Sequence, residues 1–230
     1  MTGIICALKV EVEDIIKMME NVKVEEKAGM RFYSGKIIGR EVAAVECGVG
    51  KVNAAMCTQV MIDLYSSDEI INSGIAGALS EDTEIGDVVI CTDVVQHDMD
   101  TTELGEPLGM LQFNDCRVMS IEADCEIISK LEAACKAVSN TKYETGRVAT
   151  GDKFVSRRDE RRRINEVFSA IACEMEGGAI AQVCFRNKVP FGIIRAISDS
   201  VRENEEMDFF KFRDMAASRS VQIICEYLRG

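Results

Sequence analysis

Short apolar runs alternate with longer segments of helical periodicity along the whole chain. Residues 4–8 have the pattern of a buried strand, and the apolar positions between 12 and 19 follow at the spacing of one helix face. The alternation continues to a C-terminal helix whose apolar positions lie between 212 and 227. It predicts further strands at 41–47, 69–73, 86–92, 143–150, 170–175 and 191–197, and further helices through 52–60, near 122–138, at 157–168 and over 178–185.

Three details of this pattern concern the first half of the chain. The glycines of GIAGA, at 74–78, predict a turn directly after the strand at 69–73. Residues 93–120 have no clear period and predict a long excursion of the kind that borders a site or a subunit contact. The inward face of the helix through 52–60 is predicted to consist of Val52, Ala55, Met56 and Val60.

The length and the apolar content favour a single folding unit. A chain of 230 residues with 47% hydrophobic composition can bury a sizeable core, and one α/β domain commonly reaches this size. No linker, repeat or low-complexity segment interrupts it. The sequence therefore predicts one α/β domain over 1–230, a three-layer α/β/α arrangement with a mixed central sheet.

The charge excludes some partners. With 39 acidic and 27 basic residues the formal net charge is −12, which repels nucleic-acid backbones and anionic membranes. The basic run at 157–163 could bind phosphate, but its interleaved acids favour a solvated helix face. We therefore expect neither nucleic acid nor membrane as a partner.

Cysteine usage and the N-terminus indicate the compartment. None of the ten cysteines forms a CxxC pair, and most lie in apolar runs, as small buried hydrophobes do in a reducing environment. The N-terminus carries no basic leader, and no apolar run approaches the roughly 20 residues of a membrane span. We expect a cytoplasmic protein.

Candidate chemistry lies where predicted strands end, because ligands of open α/β sheets bind beyond the carboxyl ends of the strands. Glu11 follows the first strand, and Asp199 follows the apolar run FGIIRAIS. Glu174 and Glu176 of CEMEGG would share one face if their strand persisted to 176. Either could instead be an acid at the N-terminus of the next helix, and Asp199 could be a helix cap.

His97, the only histidine, raises the question of a metal. It lies in HDMD, but no second histidine or cysteine stands at ligand spacing, so a structural role is favoured. The glycine-rich segments GIAGA and GVGK match neither common nucleotide-binding pattern. We expect no metal and no cofactor.

Taken together and in order, the motifs resemble one family, the bacterial 5′-methylthioadenosine/S-adenosylhomocysteine nucleosidases of the nucleoside phosphorylase superfamily. The resemblance covers nearly the whole chain. It rests on IICALKVEVE, CGVGKVNAA, INSGIAGAL, IGDVVI, HDMD, TGDKFV, CEMEGGAIAQVC and VPFGIIRAISDS. It implies a nucleoside phosphorylase-like fold, an adenine nucleoside and water as reactants, and a homodimer.

The resemblance also implies catalytic roles. Asp199 matches the acid that protonates nitrogen 7 of the adenine leaving group, and Glu11 matches the base that activates the attacking water. Arg195 resembles a residue that helps to place that water, and Ser198 resembles one that supports the acid.

The remaining matches concern substrate binding. Glu176 matches the acid that accepts hydrogen bonds from the two ribose hydroxyls, and Met175 matches a residue that lies against the sugar. Gly77 and Glu174 belong to matched motifs at the same strand ends. The adenine-binding segment is matched by Phe154 and Val155, and positions near the sugar and the alkylthio tail by Leu8 and Phe209.

Two positions depart from the pattern. Ile75 stands where many relatives have a serine beside the water, so we expect Glu11 to lack one hydroxyl partner. Leu104 stands where an aromatic residue of the neighbouring subunit often covers the tail, so we expect different packing there.

Three alternatives stay open beside the nucleosidase. A phosphorylase of the same superfamily would need cations around phosphate, which neither KVEVED nor INSGIAG supplies. A futalosine-type hydrolase would share the machinery. A nucleoside-binding protein without activity is disfavoured because both Glu11 and Asp199 are present.

Overall fold

The structure is a computed structural model that describes residues 1–200 and 205–230, with the side chains of the last segment described from residue 210 onward. The described residues form twelve strands, six α-helices and one 3₁₀ helix, the last at Thr102–Leu104. The strands are β1 (Thr2–Cys6), β2 (Glu20–Lys27), β3 (Met30–Ile37), β4 (Arg40–Glu46), β5 (Glu69–Ala78), β6 (Val88–Gln96), β7 (Leu111–Gln112), β8 (Arg117–Val118), β9 (Ile121–Glu122), β10 (Tyr143–Thr150), β11 (Ala172–Glu174) and β12 (Phe191–Asp199). The α-helices are α1 (Lys9–Lys17), α2 (Lys51–Tyr65), α3 (Cys125–Ala137), α4 (Arg158–Phe168), α5 (Gly177–Asn187) and α6 (Glu205–Arg229).

One mixed sheet of ten strands organises the domain. Its order is β11, β10, β6, β12, β5, β1, β4, β3, β2, with β9 paired to β6, while β7 and β8 form a small separate sheet. Strand β11 pairs in parallel with β10 and antiparallel with β5, so β5, β12, β6, β10 and β11 close into a ring. Strand β12 lies between β5 and β6 and is buried at every residue, which explains its continuous apolar sequence.

Helices cover both faces of the sheet. Helices α2 and α5 contribute to one apolar cluster, and α1, α3 and α6 contribute to a second cluster on the other side of β1 and β5. A third cluster packs Ile164 and Phe168 of α4 beneath the ring of strands. The predicted α/β/α arrangement with a mixed central sheet is confirmed.

The predicted turn at GIAGA is wrong, because these residues continue β5 to Ala78. Pairing with β12 on one side and with β11 beyond it supplies ladder partners that the local sequence does not reveal. Strand β6 likewise extends to Gln96, into the region predicted to be an excursion.

Two further features differ from the sequence-based expectation. The buried face of α2 consists of Ala54, Cys57, Thr58 and Met61, whereas Val52 and Met56 are exposed. Ala55 and Val60, which were also predicted to face inward, are partly buried and pack against the core, so the prediction was wrong for Val52 and Met56 only. The hairpin of β2 and β3 was not predicted, because β2 is exposed at all eight residues and lacks a buried alternation.

The remaining sequence-based expectations concern the burial of the cysteines and membrane-spanning helices. Seven of the ten cysteines are buried, and all ten are free thiols, as expected for small buried hydrophobes. Within 1–200 and 205–230, no helix is long and apolar enough to cross a membrane.

Candidate active site

A cavity of about 350 Å³ opens where β1, β5, β11 and β12 end. It brings together ten of the residues singled out from the sequence, namely Leu8, Glu11, Ile75, Gly77, Phe154, Glu174, Met175, Glu176, Ser198 and Asp199. Sequence reasoning missed four small or apolar lining residues, namely Ala7, Val49, Ala76 and Cys173.

Glu11 lies in the first turn of α1 and is only 2% exposed. One carboxylate oxygen accepts the backbone N–H groups of Ala7 (2.9 Å) and Leu8 (2.8 Å), and the other accepts that of Ile75 (3.1 Å). Burial raises the pKa of Glu11, against the opposing effect of these donors and of Arg195. A carboxylate with a raised pKa is a stronger base, and one held in a fixed position can take a proton from a water molecule.

The backbone amide of Ile75 therefore supplies a hydrogen bond to Glu11 where a serine hydroxyl was missing. The neighbouring Gly74 allows this approach, because a Cβ there would lie 2.8 Å from Glu11 Oε1 and 3.4 Å from Arg195 Nη1. Glu11 and Arg195 thus approach the same point of β5.

Glu174 ends β11 and is the most heavily hydrogen-bonded acid of the site. Its Oε2 accepts the backbone N–H groups of Glu176 (2.9 Å) and Gly177 (2.6 Å), and its Oε1 accepts the Thr150 hydroxyl. Arg195 Nη2 lies 2.5 Å from Glu174 Oε2. Burial disfavours the charge, but the guanidinium and the hydrogen bonds outweigh it, so the pKa of Glu174 lies below its ordinary value. Glu174 is thus both a helix N-terminal acid and a cavity residue.

Arg195 is buried behind the cavity and does not line it. Its guanidinium also donates to the side-chain oxygen of Asn72 and to the backbone carbonyls of Asn72 (3.3 Å) and Ile194 (3.1 Å). The Nε atom is buried and has no hydrogen-bond partner among the described residues. Arg195 is thereby fixed between Glu174 and the region of Glu11.

Glu176 is the N-cap residue of α5, but its side chain does not cap that helix. Its Oε1 instead accepts the backbone N–H of Gly50 at the start of α2, at 2.9 Å. Burial and the nearby charge of Glu174 raise the pKa of Glu176 to about 7, against the opposing Arg195 and Gly50. Among the described residues, no hydrogen-bond donor is recorded for its second oxygen.

Asp199 is the last residue of β12. The Ser198 hydroxyl donates to Asp199 Oδ1 at 2.6 Å, and the Arg161 guanidinium is paired with Oδ2. A Cβ at Gly77 would lie 2.8 Å from Asp199 Oδ2, so only glycine at this position leaves room for the carboxylate. Sequence reasoning missed Arg161, although Arg161, Ile164 and Phe168 share the helical spacing of one buried face.

Phe154 and Val155 form one wall beside Asp199. Phe154 is 45% exposed at the cavity, whereas Val155 lines a small adjoining cavity of about 30 Å³. The Val155 carbonyl accepts Arg161 Nε at 3.0 Å, and its second lone pair is available to a ligand.

Two other residues considered from the sequence, Leu104 and His97, lie apart from the cavity, and a third, Phe209, cannot be placed. Leu104 is 79% exposed in the 3₁₀ helix and does not line the cavity of its own chain, and the side chain of Phe209 lies outside the described residues. His97 packs with its buried Nε2 against Gly151. In the part of the chain that the structure describes, no group of three or more His, Cys, Asp or Glu is arranged to hold a metal ion.

The sequence profile of the phosphorylase superfamily matches residues 2–229. The 5′-methylthioadenosine/S-adenosylhomocysteine nucleosidase of Bacillus cytotoxicus is 36% identical over 232 residues, which covers 99% of this chain and 97% of the relative. The chain belongs to this nucleosidase family. Its members hydrolyse an N-glycosidic bond, and the chain is an enzyme of that class.

Solved structures agree with this membership. The nucleosidase from Neisseria meningitidis in complex with methylthio-immucillin-A is 34% identical and has a TM-score of 0.93, covering 99% of this chain and 98% of that one. The futalosine hydrolase of Helicobacter pylori is 27% identical and has a TM-score of 0.92, covering 99% and 97%. The nucleosidase fold is therefore shared with an enzyme named for a different nucleoside.

Proposed function

We propose that this nucleosidase hydrolyses 5′-methylthioadenosine and S-adenosylhomocysteine, and also 5′-deoxyadenosine, to adenine and the corresponding free sugar. The observation that carries the proposal is a single cavity lined by Glu11, Glu176 and Asp199, each at most 6% exposed. These are the three acids to which the family resemblance assigns a base, a sugar-binding group and an acid.

The proposed reaction begins at the leaving group. As the bond between C1′ and N9 breaks, its electrons pass to the purine, and the proton of the Asp199 carboxyl is transferred to N7. The hydroxyl of Ser198, 2.6 Å from Asp199 Oδ1, orients that carboxyl. Neutralising the departing base lowers the barrier to bond cleavage.

The sugar becomes electron-poor as the base leaves. Glu176 accepts its 2′- and 3′-hydroxyls with Met175 against the ring, and the negative charge nearby favours an oxocarbenium-like sugar. Glu11 then takes a proton from water as the water oxygen bonds to C1′. Arg195, held by Glu174, helps to place that water.

The cavity is poorly suited to phosphate. The described residues that line it include no lysine or arginine. The two buried guanidinium groups near it, Arg161 and Arg195, are already paired with Asp199 and Glu174. A phosphate nucleophile would bring negative charge next to Glu11 and Glu176, which costs several kcal/mol in a desolvated site without compensating cations.

The proposal is tested by product and by phosphate dependence. Adenine release from 5′-methylthioadenosine should proceed at the same rate in phosphate-free buffer, in millimolar phosphate and after exhaustive chelation of metals. Mass spectrometry should identify free 5-methylthioribose. A sugar 1-phosphate, or activity only with phosphate, would show a phosphorylase instead. Parallel assays with S-adenosylhomocysteine, 5′-deoxyadenosine and a futalosine-type nucleoside would rank the substrates. If only the futalosine-type nucleoside were turned over, the enzyme would be a futalosine-type hydrolase instead.

We further propose that the enzyme is a homodimer. Val49 and Phe154 line the cavity and are 47% and 45% exposed, and Val52 and Met56 continue this apolar surface along α2. A second copy would cover these side chains and could bring Leu104 to the tail of the substrate. Sedimentation equilibrium should give twice the chain mass of 25.4 kDa, and a monomer at micromolar concentration would contradict this proposal.

A further inference from the structure

Arg161 is a fully buried arginine within an otherwise solvated basic run. Its neighbours Arg162 and Arg163 are exposed, whereas Arg161 is 0% exposed on the face of α4 that carries Ile164 and Phe168. Burying a guanidinium is costly unless it is paired and hydrogen-bonded. Its partners therefore indicate why the position holds an arginine.

The partners of Arg161 all belong to the site. Its Nε donates to the Val155 carbonyl at 3.0 Å, Nη1 donates to the Ala78 carbonyl at 3.1 Å, and Nη2 is paired with Asp199 Oδ2. One planar group thus joins the adenine-binding segment, the end of β5 and the proposed acid. Arg161 does not line the cavity, so it acts through Asp199 and Val155.

Other charged or titratable groups also face Asp199. They come from the segment after β10, from β11 and the start of α5, and from α1 across the cavity, and they are Lys153, Cys173, Glu174, Glu176 and Glu11. Lys153 is paired with Glu160 at 2.7 Å, and Glu174 with Arg195. Among the side chains described, those of 1–200 and 210–230, the ion pair of Asp199 is with Arg161.

We propose that Arg161 is a positioning residue for leaving-group protonation, which orients Asp199 and stabilises the carboxylate that remains after its proton has passed to the purine. The inference rests on the proposed function. When the O–H bond of Asp199 breaks and the N7–H bond forms, the negative charge left on Oδ2 faces a guanidinium in a buried setting.

The first readout of this role is the kcat of Arg161→Met with 5′-methylthioadenosine. It should fall about 10-fold, since proton delivery to the purine loses its support. Arg162→Met, which changes an exposed neighbour on the same helix, should keep the kcat of the wild type.

A substrate that needs no proton provides the second readout. A 4-nitrophenyl 5-methylthioriboside releases a stable phenolate, so Arg161→Met should lose little kcat with it relative to the wild type. Equal losses with this substrate and with 5′-methylthioadenosine would mean that Arg161 only stabilises the fold. An inactive wild type would instead refute the proposed function itself.

If Arg161→Met does not fold, the variant Arg161→Lys provides the test. Lysine keeps the positive charge beside Asp199 but lacks the planar guanidinium group that also donates hydrogen bonds to the carbonyls of Val155 and Ala78. The kcat of Arg161→Lys should fall several-fold for 5′-methylthioadenosine and should not fall for the nitrophenyl substrate. A loss of the same size with both substrates would overturn the inference.

Discussion

Glu11→Gln and Asp199→Asn should each lower the turnover of 5′-methylthioadenosine by on the order of 10²-fold or more, the scale of general acid–base catalysis. Neither amide can carry out the proton transfer of the acid it replaces. Glu11 has three backbone donors within 3.1 Å, which hold a glutamine side chain in nearly the same place. The loss should therefore appear in kcat from steady-state adenine release rather than in the fold.

Matched variants make this result interpretable. Glu13→Gln, two residues further along α1, removes an exposed acid paired with Lys17 and should leave kcat unchanged. Asp199→Asn leaves the buried Arg161 without its counter-ion, which can destabilise the fold. The thermal unfolding of this variant should therefore be measured, and the double variant Arg161→Met with Asp199→Asn should be assayed beside it. Near-normal turnover in a folded variant would remove that residue from its proposed role.

Glu176→Gln should lower kcat/KM by on the order of 10²-fold at pH 8, because a neutral amide replaces a charge that favours the electron-poor sugar. The loss should shrink as the pH falls. The pKa of Glu176 in the free enzyme is raised to about 7 by burial and by Glu174, so the wild-type carboxylate is protonated below that pH. Wild-type kcat/KM should thus decline as the pH drops through about 7, and this limb should be absent in the variant.

A substrate without the ribose hydroxyls tests whether Glu176 acts through them. A 2′,3′-dideoxy analogue should react more slowly with both proteins, and it should abolish most of the difference between them. An undiminished penalty in Glu176→Gln with this analogue would argue against the diol assignment. An unchanged acid limb in the variant would assign that limb to Glu11, whose pKa is raised in the same direction.

Much of the architecture could be predicted because its signals are local. Strand β12 is apolar throughout and is buried throughout, and β10 begins and ends where its sequence indicates. GIAGA was misjudged because glycine normally marks a turn, whereas here it leaves room inside a strand for Glu11 and Asp199. That requirement comes from α1 and β12, which are distant in sequence.

The site could be assembled from the family resemblance, but its electrostatics could not. Nothing local to Glu176 indicates that its partner is Gly50, 126 residues away, or that Glu174 pairs with Arg195. Sequence reasoning missed Arg161 for a different reason. A charged run suggests a solvated face, and only the shared period with Ile164 and Phe168 indicates that one of its arginines turns inward.

The position of β12 bears on how the chain folds. Its neighbours in the sheet, β5 and β6, precede it by roughly a hundred residues, so the centre of the sheet can close only after a long intervening stretch has been synthesised. Before then both neighbours present unpaired edges, which are aggregation-prone, and closure requires contacts of long sequence separation, which form slowly. Since the proposed acid Asp199 and its neighbours Ser198 and Arg195 all belong to β12, the proposed site is completed in the same step that removes those edges.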